Sequence, residues 1–343
     1  MTHSFLGPLM VDVAGKTLTP EDCEVLRHPQ VGGVILFTRN FENAGQLRGL
    51  VQAIRALREP QLLVAVDYEG GRVQRFRHQG FTVLPPARVF GRLYERDAER
   101  ARNMAHVCGW MIGLELRAVG VDLCFAPVLD LAAGVSAVIG DRAFHADPAV
   151  VTDLGSAFMH GLRDAGMAAT GKHFPGHGRV VEDSHEQLPV DDRPLEQIRS
   201  EDMVPFRELI RQGLPSVMMA HIRFSQVDAR PASLSSFWIR DELRGRLGFT
   251  GAVFCDDLSM GGAAAMGGYP ERAGLALDAG CDMLPVCNNR AAVLELLDAL
   301  DAAPDAAATA RLERLRAEPG RELAEIQSLQ AWRHARDRLT VLT

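Results

Sequence analysis

Lysine is almost absent from this sequence of 343 residues. Of the 37 basic residues, only Lys16 and Lys172 are lysines, so nearly all of the positive charge is carried by arginine. Asp and Glu together number 44, which gives a net charge of -7. Because an acidic chain lacks the positive field that gathers phosphate backbones, we do not expect nucleic acid as a partner. Each lysine is a candidate for a specific role.

Long apolar runs and closely spaced cysteines are also missing. The longest apolar runs, such as 31–37, are far below the roughly 18 residues that span a bilayer, and no basic segment precedes an apolar one at the N-terminus. The six cysteines form no Cys-x-x-Cys pair, which is typical of buried thiols in a reducing compartment. They are Cys23, Cys108, Cys124, Cys255, Cys281 and Cys287. We therefore expect a cytoplasmic protein without membrane contact.

The rest of the composition is that of a globular protein, with 47% hydrophobic and 24% charged residues. Short apolar segments alternate with segments in which apolar residues return every three or four positions. The predicted strands are 9–13, 34–37, 62–67, 123–126, 167–171, 216–220, 252–255 and 283–286. The predicted helices include 44–58, 101–119, 149–165, 195–212, 236–247 and 271–279.

This alternation predicts a parallel sheet with right-handed crossovers. Eight βα units within about 290 residues favour a closed (β/α)8 TIM barrel over an open doubly wound sheet. We expect one α/β domain over residues 1–343, with the barrel at about 5–290 and a helical tail at about 291–343 packed outside it.

Functional residues of such a barrel lie at the carboxyl ends of the strands and in the loops that follow. Polar side chains stand at these places after five of the predicted strands, although a single one is often only a turn or cap residue. They are Asp67, Asp130, Lys172 with His173, His221, and Asp256 with Asp257. We expect these side chains to gather at one end of the barrel.

The densest group of such residues lies in the loop 171–185, which is too rich in Gly and Pro for a helix. It contains Lys172, His173, His177, Asp183 and His185. Residues 166–172 nearly match a phosphate-binding loop, but His173 stands where Ser or Thr would bind Mg²⁺, so nucleotide binding is rejected. A Pro-Gly pair separates His173 from His177 and no helix face aligns them, so no metal and no cofactor are expected. The plain alternative is a surface loop with solvated histidines.

Two further segments combine carboxylates with other polar groups. Since adjacent residues at a strand end point to opposite sides, we expect Asp256 to face the barrel mouth and Asp257 to cap the next helix; the alternative is that both are caps. The segment from Asp67 to Arg75 contains a Gly-Gly turn, and Arg142 lies in the loop after the fourth strand. Carboxylates and guanidinium groups together suit a polyol, although a lone Arg is more often a structural ion-pair partner.

Four motifs occur in one order along the chain. They are Ala65-Val-Asp-Tyr-Glu-Gly-Gly-Arg-Val-Gln-Arg75, Phe125-Ala-Pro-Val-Leu-Asp130, Gly171-Lys-His-Phe-Pro-Gly-His-Gly178 with Asp183-Ser-His185, and Cys255-Asp-Asp-Leu-Ser-Met260. Together they resemble the bacterial β-N-acetylhexosaminidases of glycoside hydrolase family 3, of the single-domain cytoplasmic kind that serves cell-wall recycling. The resemblance runs from about Leu9 to Asn288.

The resemblance implies a retaining enzyme that removes terminal β-linked N-acetylglucosamine from peptidoglycan-derived muropeptides. It implies that Asp256 is the nucleophile and that His185, paired with Asp183, is the acid and base. By the same motifs the sugar-binding residues are Asp67, Arg75, Arg142, Lys172 and His173. Two residues depart from the family pattern, Tyr68 in place of Gln and Cys255 in place of Ser or Thr, and they concern the detail of the sugar subsite more than the reacting groups.

Other functions on the same scaffold stay open at this point. They are β-glucosidase activity, transfer of the sugar to phosphate in place of water, and non-catalytic sugar binding, although the last predicts the loss of a reacting residue and none is lost. We expect a monomer. We also expect the Gly/Pro-rich loop to move and complete the site when substrate binds.

Overall fold

The computed structural model describes residues 5–184 and 187–342, which form an α/β fold. All eight predicted strands are present, with ends shifted by up to three residues. They are β1 (Leu9–Val11), β2 (Val31–Leu36), β3 (Leu63–Val66), β4 (Leu123–Cys124), β5 (Thr170–Phe174), β6 (Ser216–Met219), β7 (Ala252–Phe254) and β8 (Leu284–Val286).

The strands form two parallel sheets. One has the order β8-β1-β2-β3-β4 and the other has the order β7-β6-β5. Isolated parallel bridges connect the two sheets at both of their edges: Leu123 with Ala168 and Val128 with Lys172 between β4 and β5, and Phe254 with Met283 between β7 and β8. Each strand therefore has a parallel partner on both sides.

Helices connect successive strands, as the apolar spacing predicts. They are α1 (Pro20–Arg27), α2 (Ala44–Arg55), α3 (Ala87–Tyr94), α4 (Ala98–Ala118), α5 (Pro148–Asp164), α6 (Leu195–Ser200), α7 (Met203–Arg211), α8 (Gly261–Ala264), α9 (Tyr269–Ala279), α10 (Arg290–Ala299), α11 (Ala306–Glu313), α12 (Leu323–Ser328) and α13 (Gln330–Thr340). The predicted helix 195–212 is divided in two near Asp202, a buried residue whose carboxylate pairs with Arg193. The predicted helix 236–247 is π-helical over Phe237–Arg246.

Side chains alternate between two hydrophobic clusters because successive residues of a strand point to opposite faces. Leu9 and Val11 belong to the larger cluster, which also contains the apolar faces of the helices and which we call the outer cluster. Met10, between them, belongs to the smaller cluster on the other face of the strands, which we call the inner cluster. Phe125 and Phe254 belong to the same cluster, and their rings meet edge to face at 5.2 Å.

The C-terminal helices differ from the expectation of a purely external tail. Leu312 of α11 and the nearby Leu315 belong to the inner cluster, so this part of the tail covers one end of the strands. By contrast, Trp332 of α13 joins the outer cluster, and its indole Nε1 donates a hydrogen bond to the buried Glu115 of α4 at 3.2 Å.

Within residues 5–184 and 187–342, none of the helices combines the length and the apolar character needed to cross a bilayer. The cysteines are free thiols, and all except Cys23 are buried, as predicted.

Candidate active site

A cavity of about 560 Å³ opens at the carboxyl ends of the strands. Every residue that the sequence predicts for catalysis or sugar binding lines it, except His185, which lies outside the described residues. The lining residues from that set are Asp67, Arg75, Arg142, Lys172, His173, Asp183 and Asp256. The convergence follows from the parallel sheet, because the carboxyl ends of its strands meet on one side.

Lys172 is the most buried cation of the cavity. It lies within β5, and only 2% of its side chain is exposed. Its Nζ is 2.9 Å from Asp67 Oδ1 and 2.6 Å from Glu69 Oε1. Burial alone would lower the pKa of this ammonium, but Asp67 and Glu69 outweigh it, so the pKa is raised and the group stays charged.

Glu69 is a buried member of the site that the sequence analysis does not assign. Its two carboxylate oxygens each accept a hydrogen bond of 2.8 Å from the Arg142 guanidinium, in a fork geometry. Burial opposes ionisation of Glu69, yet Arg142 and Lys172 lower its pKa to about 2. Glu69 thus fixes both cations. Its sequence signal is its position two residues after Asp67, because alternate residues of an extended segment lie on the same side.

Arg75 is a third cation, beside Lys172 and Arg142, that pairs with these carboxylates. Its Nη2 donates to Asp67 Oδ2 at 3.1 Å, so each oxygen of Asp67 contacts a different cation. Burial would raise the pKa of Asp67, but Lys172 and Arg75 hold it below its usual range. A carboxylate held in this way presents its remaining lone pairs to the cavity as acceptors for hydroxyl groups.

Asp130, which follows the fourth strand, organises the histidines of the next loop. Its Oδ2 is 2.6 Å from His173 Nδ1, and its Oδ1 accepts hydrogen bonds from the backbone N–H of His173 at 3.2 Å and of His177 at 2.7 Å. Asp130 is fully buried, and the partner histidines nevertheless hold its pKa below the usual value. The bond to Nδ1 directs the other nitrogen of His173 away from Asp130.

His177 contacts the segment that contains Asp183. Its Nε2 lies 2.8 Å from Ser184 Oγ, and its ring meets the His173 ring edge to face at 5.7 Å. Burial, with the neighbouring His173, lowers the pKa of His177 to about 4, so the imidazole is neutral near pH 7. On the other side of the segment, Ser184 O accepts a hydrogen bond from Gly262 N at 2.9 Å.

Asp256 and Asp257 both line the cavity. Asp257 N donates to Asp256 Oδ1 at 2.9 Å, which orients that carboxylate. The prediction that Asp257 caps the next helix is wrong: α8 begins after Met260 without a side-chain cap. Instead, Asp257 Oδ1 accepts from Ser259 N, Ser259 Oγ and Cys287 N at 2.9, 2.8 and 3.1 Å. Burial raises the pKa of Asp257 to about 6, and Asp256 adds to the effect.

His221 is fully buried and contacts the backbone of Asp257. Its Nε2 donates to the carbonyl oxygen of Asp257 at 3.0 Å, and Nδ1 lies 2.6 Å from Ser233 Oγ. Because a backbone carbonyl only accepts, the proton of the neutral ring is on Nε2 and Ser233 donates to Nδ1. His221 therefore fixes the backbone next to Asp256.

The two departures from the family pattern lie outside the cavity wall. Tyr68 is fully buried, its hydroxyl donates to Phe76 O at 2.8 Å, and its ring packs against Phe76 and Phe81. Cys255 is also fully buried, and its Sγ lies 4.0 Å from Ser233 O. Neither side chain lines the cavity.

Comparisons with known proteins identify the family of this chain. Residues 9–317 match the model of the glycosyl hydrolase family 3 N terminal domain. A protein of Thioalkalivibrio sulfidiphilus named beta-hexosaminidase is 55% identical over 331 residues, which are 96% of this chain and 95% of that protein. A beta-hexosaminidase of Tolumonas auensis is 49% identical and is covered to 98%, as is this chain.

The fold also matches crystal structures. NagZ from Neisseria gonorrhoeae in complex with N-trifluoroacetyl-D-glucosamine superposes with a TM-score of 0.94 at 42% identity, over 100% of this chain and 99% of that one. A family 3 beta-N-acetylglucosaminidase from Paenibacillus matches with a TM-score of 0.80 at 33% identity, over 98% of this chain and 60% of that one. This chain therefore belongs to glycosyl hydrolase family 3 and is a glycoside hydrolase.

Proposed function

We propose that this protein is a retaining exo-β-N-acetylglucosaminidase that releases terminal β-linked N-acetylglucosamine from peptidoglycan-derived muropeptides in the cytoplasm. The observation that carries the proposal is the meeting of Asp256, Asp183 and a group of paired cations in one cavity. Relatives that are about half identical over nearly their whole length are named beta-hexosaminidase, and the related NagZ holds an N-acylated glucosamine. The muropeptide substrate and the location rest on the resemblance of the motifs.

The nucleophile in this proposal is Asp256. Its carboxylate attacks the anomeric carbon as the bond to the leaving oxygen breaks, and a glycosyl-aspartate ester forms through an oxocarbenium-like transition state. The N–H of Asp257 orients Asp256 Oδ1, and His221 fixes the carbonyl of Asp257. A carboxylate held by backbone contacts needs little rearrangement before attack.

The proton donor in this proposal is His185, paired with Asp183, which lines the cavity. His185 gives its proton to the departing oxygen and then takes one from the water that cleaves the ester. A carboxylate partner fixes the tautomer of such an imidazole and raises its basicity. Since the residues belong to the loop 173–185, we propose that this loop closes over bound substrate.

The sugar in this proposal is held by Asp67, Arg75, Arg142, Lys172 and His173. Ammonium and guanidinium groups donate to hydroxyl and amide oxygens, and Asp67 accepts from hydroxyl groups. Glu69 and Asp130 do not touch the sugar but hold Arg142, Lys172 and His173 in place.

The scaffold in this proposal is a single-domain, monomeric (β/α)8 barrel with a helical tail from about residue 291. The bridges from Leu123 to Ala168 and from Phe254 to Met283 support closure, because they join the edges of the two sheets. The bridge from Val128 to Lys172 lies next to the cavity and gives β5 a partner where Lys172 enters the site.

The first test compares the wild-type protein with Asp256→Ala on an aryl β-N-acetylglucosaminide. We expect kcat/KM to fall at least about 1,000-fold, as for removal of a nucleophile, and added azide to give an α-glycosyl azide. The matched control is Asp241→Ala, an exposed carboxylate on the π-helical segment, which we expect to leave turnover unchanged. Near-normal turnover of Asp256→Ala, or no azide adduct, would overturn the nucleophile assignment.

A second set of measurements separates the alternatives. Aryl β-glucosides turned over as fast as aryl β-N-acetylglucosaminides would indicate a β-glucosidase. A sugar 1-phosphate formed in phosphate buffer would indicate a phosphorylase. Binding of N-acetylglucosamine without turnover of any glycoside would indicate a sugar-binding protein. We expect none of these, and we expect the β-anomer as the first product observed by NMR.

A further inference from the structure

Ser184, which directly precedes His185 in the sequence, contacts the rest of the site through both its side chain and its backbone. Ser184 is almost fully buried, although its neighbours Glu182 and Asp183 are partly exposed. Its Oγ is 2.8 Å from His177 Nε2, and its carbonyl oxygen accepts from Gly262 N at 2.9 Å. Ser184 lines the cavity, yet its side chain is buried against His177, and this burial requires an explanation.

His177 is itself held firmly. Its backbone N–H donates to Asp130 Oδ1 at 2.7 Å, and its ring packs against that of His173. Only 2% of the residue is exposed, and within the described residues its Nδ1 has no hydrogen-bond partner. Because a buried N–H without an acceptor is costly, the neutral ring is expected to carry its proton on Nε2 and donate it to Ser184 Oγ.

We infer that His177 is a positioning residue that, through its contact with Ser184, holds Asp183 and Ser184 at the cavity, directly before His185 in the sequence. The inference rests on the proposed function, since it matters only if His185 and Asp183 transfer protons. Asp130 connects the proposed sugar-binding residue His173 with His177, because its carboxylate contacts the ring of His173 and the backbone N–H of His177. Sugar binding and placement of the proton donor thereby depend on a single buried group.

The role of a positioning residue differs in one measurable way from that of a purely structural residue. Protonation of the leaving group matters greatly for a poor leaving group and little for an activated one. Loss of the contact between His177 and Ser184 should therefore reduce kcat/KM for phenyl β-N-acetylglucosaminide and spare that for the 2,4-dinitrophenyl substrate. A change in folding or in sugar binding would reduce both equally.

The experiment uses Ser184→Ala, His177→Phe and the double variant in the full chain. We expect each to lower kcat/KM about 10- to 100-fold on the phenyl substrate and less than about 3-fold on the dinitrophenyl substrate. The double variant should be no worse than His177→Phe alone, because both changes remove the same contact. Ser184→Thr retains a hydroxyl and should restore most of the activity, which keeps the test informative if His177→Phe fails to fold.

The matched control is Ser216→Ala. Ser216 Oγ is buried 2.8 Å from Thr170 Oγ1, the same distance as in the proposed contact, but it does not line the cavity. We expect no change in its leaving-group dependence. Equal losses on both substrates for Ser184→Ala, or losses that multiply in the double variant, would overturn the inference. If the wild-type protein hydrolyses neither substrate, it is the proposed function that fails.

Discussion

The ion pairs around Lys172 show why a rare residue stands at this position. A buried ammonium is tolerated only when nearby carboxylates offset its desolvation, and Asp67 and Glu69 do so at 2.9 and 2.6 Å. Arg75 then binds the other oxygen of Asp67, and Arg142 binds both oxygens of Glu69. A compact ammonium fits between two carboxylates where a planar guanidinium would be too large.

Glu69→Gln should weaken both folding and turnover. The buried carboxylate with a pKa of about 2 stabilises the fold at pH values above its unfolded pKa of about 4.3, and this stabilisation is lost as the pH falls towards 2. We expect the variant to lose about 3 kcal/mol of unfolding free energy at pH 7, with a smaller loss at pH 3, measured by urea denaturation. We also expect a lower kcat/KM, because Arg142 and Lys172 lose their shared anchor.

The other lysine supplies the control. Lys16 forms an ion pair with Glu42 at 3.2 Å, with both side chains about half exposed. Because solvent screens such a pair, Glu42→Gln should cost less than about 1 kcal/mol, without a change in activity. Equal costs for the two variants, or a pH-independent loss in Glu69→Gln, would contradict the role given to Glu69.

At the scale of the elements, apolar alternation predicts the strands well and their ends less well. The strand predicted at 167–171 is Thr170–Phe174, because Lys172 and His173 are buried by ion pairs and by Asp130 that local sequence does not reveal. The short antiparallel pair Tyr68–Gly70 and Val73–Gln74 was not predicted either. The Gly70-Gly71 turn between these two strands, with both residues at positive φ, is the sequence feature that indicates the pair.

The residues of the candidate site that follow strand ends can be predicted from the sequence. Residues that only hold other side chains of the site in place are harder to predict. The strand-end rule places Asp67 and Asp256 at the cavity, and the motif resemblance adds Arg75 and Arg142. The position of Glu69 two residues after Asp67 suggests that it lies near the site, but this spacing does not reveal its ion pairs with Arg142 and Lys172, which are distant in sequence. The same holds for His177, whose partner depends on how the loop folds back.

Gly262→Ala tests how α8 meets the loop before His185. A Cβ at this position would lie 2.9 Å from Ser184 O and 3.1 Å from His221 Cβ, closer than such atoms approach without a shift. We expect the variant to displace Ser184 and to reduce kcat/KM on a phenyl glycoside by about 10-fold or more. Steady-state kinetics with the phenyl and 2,4-dinitrophenyl substrates checks this, and the phenyl substrate should suffer more.

Gly274→Ala is the control for this change. Gly274 lies within α9, and a Cβ there would meet nothing within 4 Å. Because Ala favours the helix over Gly, this variant should raise the unfolding free energy by about 0.5–1 kcal/mol without affecting turnover. Wild-type kinetics in Gly262→Ala would show that the segment tolerates displacement.

At the scale of the whole molecule, the two ends of the strands have separate tasks. The carboxyl ends hold the cavity, and the amino ends are covered by the tail. Arg311 pairs with Asp282, just before β8, at 2.5 Å, and Arg316 bonds Gln61 O at 2.8 Å, just before β3. Between these arginines, Leu312 and Leu315 enter the inner cluster. Polar contacts therefore fix α11 and the residues directly after it at the rim, while Leu312 and Leu315 pack into the inner cluster.

Leu312→Ala should separate stability from activity. Leu312 is 1% exposed and packs in the inner cluster near the amino ends of the strands, away from the cavity. Its removal should cost about 2–5 kcal/mol of unfolding free energy, measured by urea denaturation, while kcat/KM of the folded protein at low temperature stays within about twofold of wild type. Leu294→Ala on α10, where 43% of the side chain is exposed, should cost less than about 1 kcal/mol. A large loss of kcat/KM in folded Leu312→Ala would show instead that the tail and the cavity are coupled through the inner cluster.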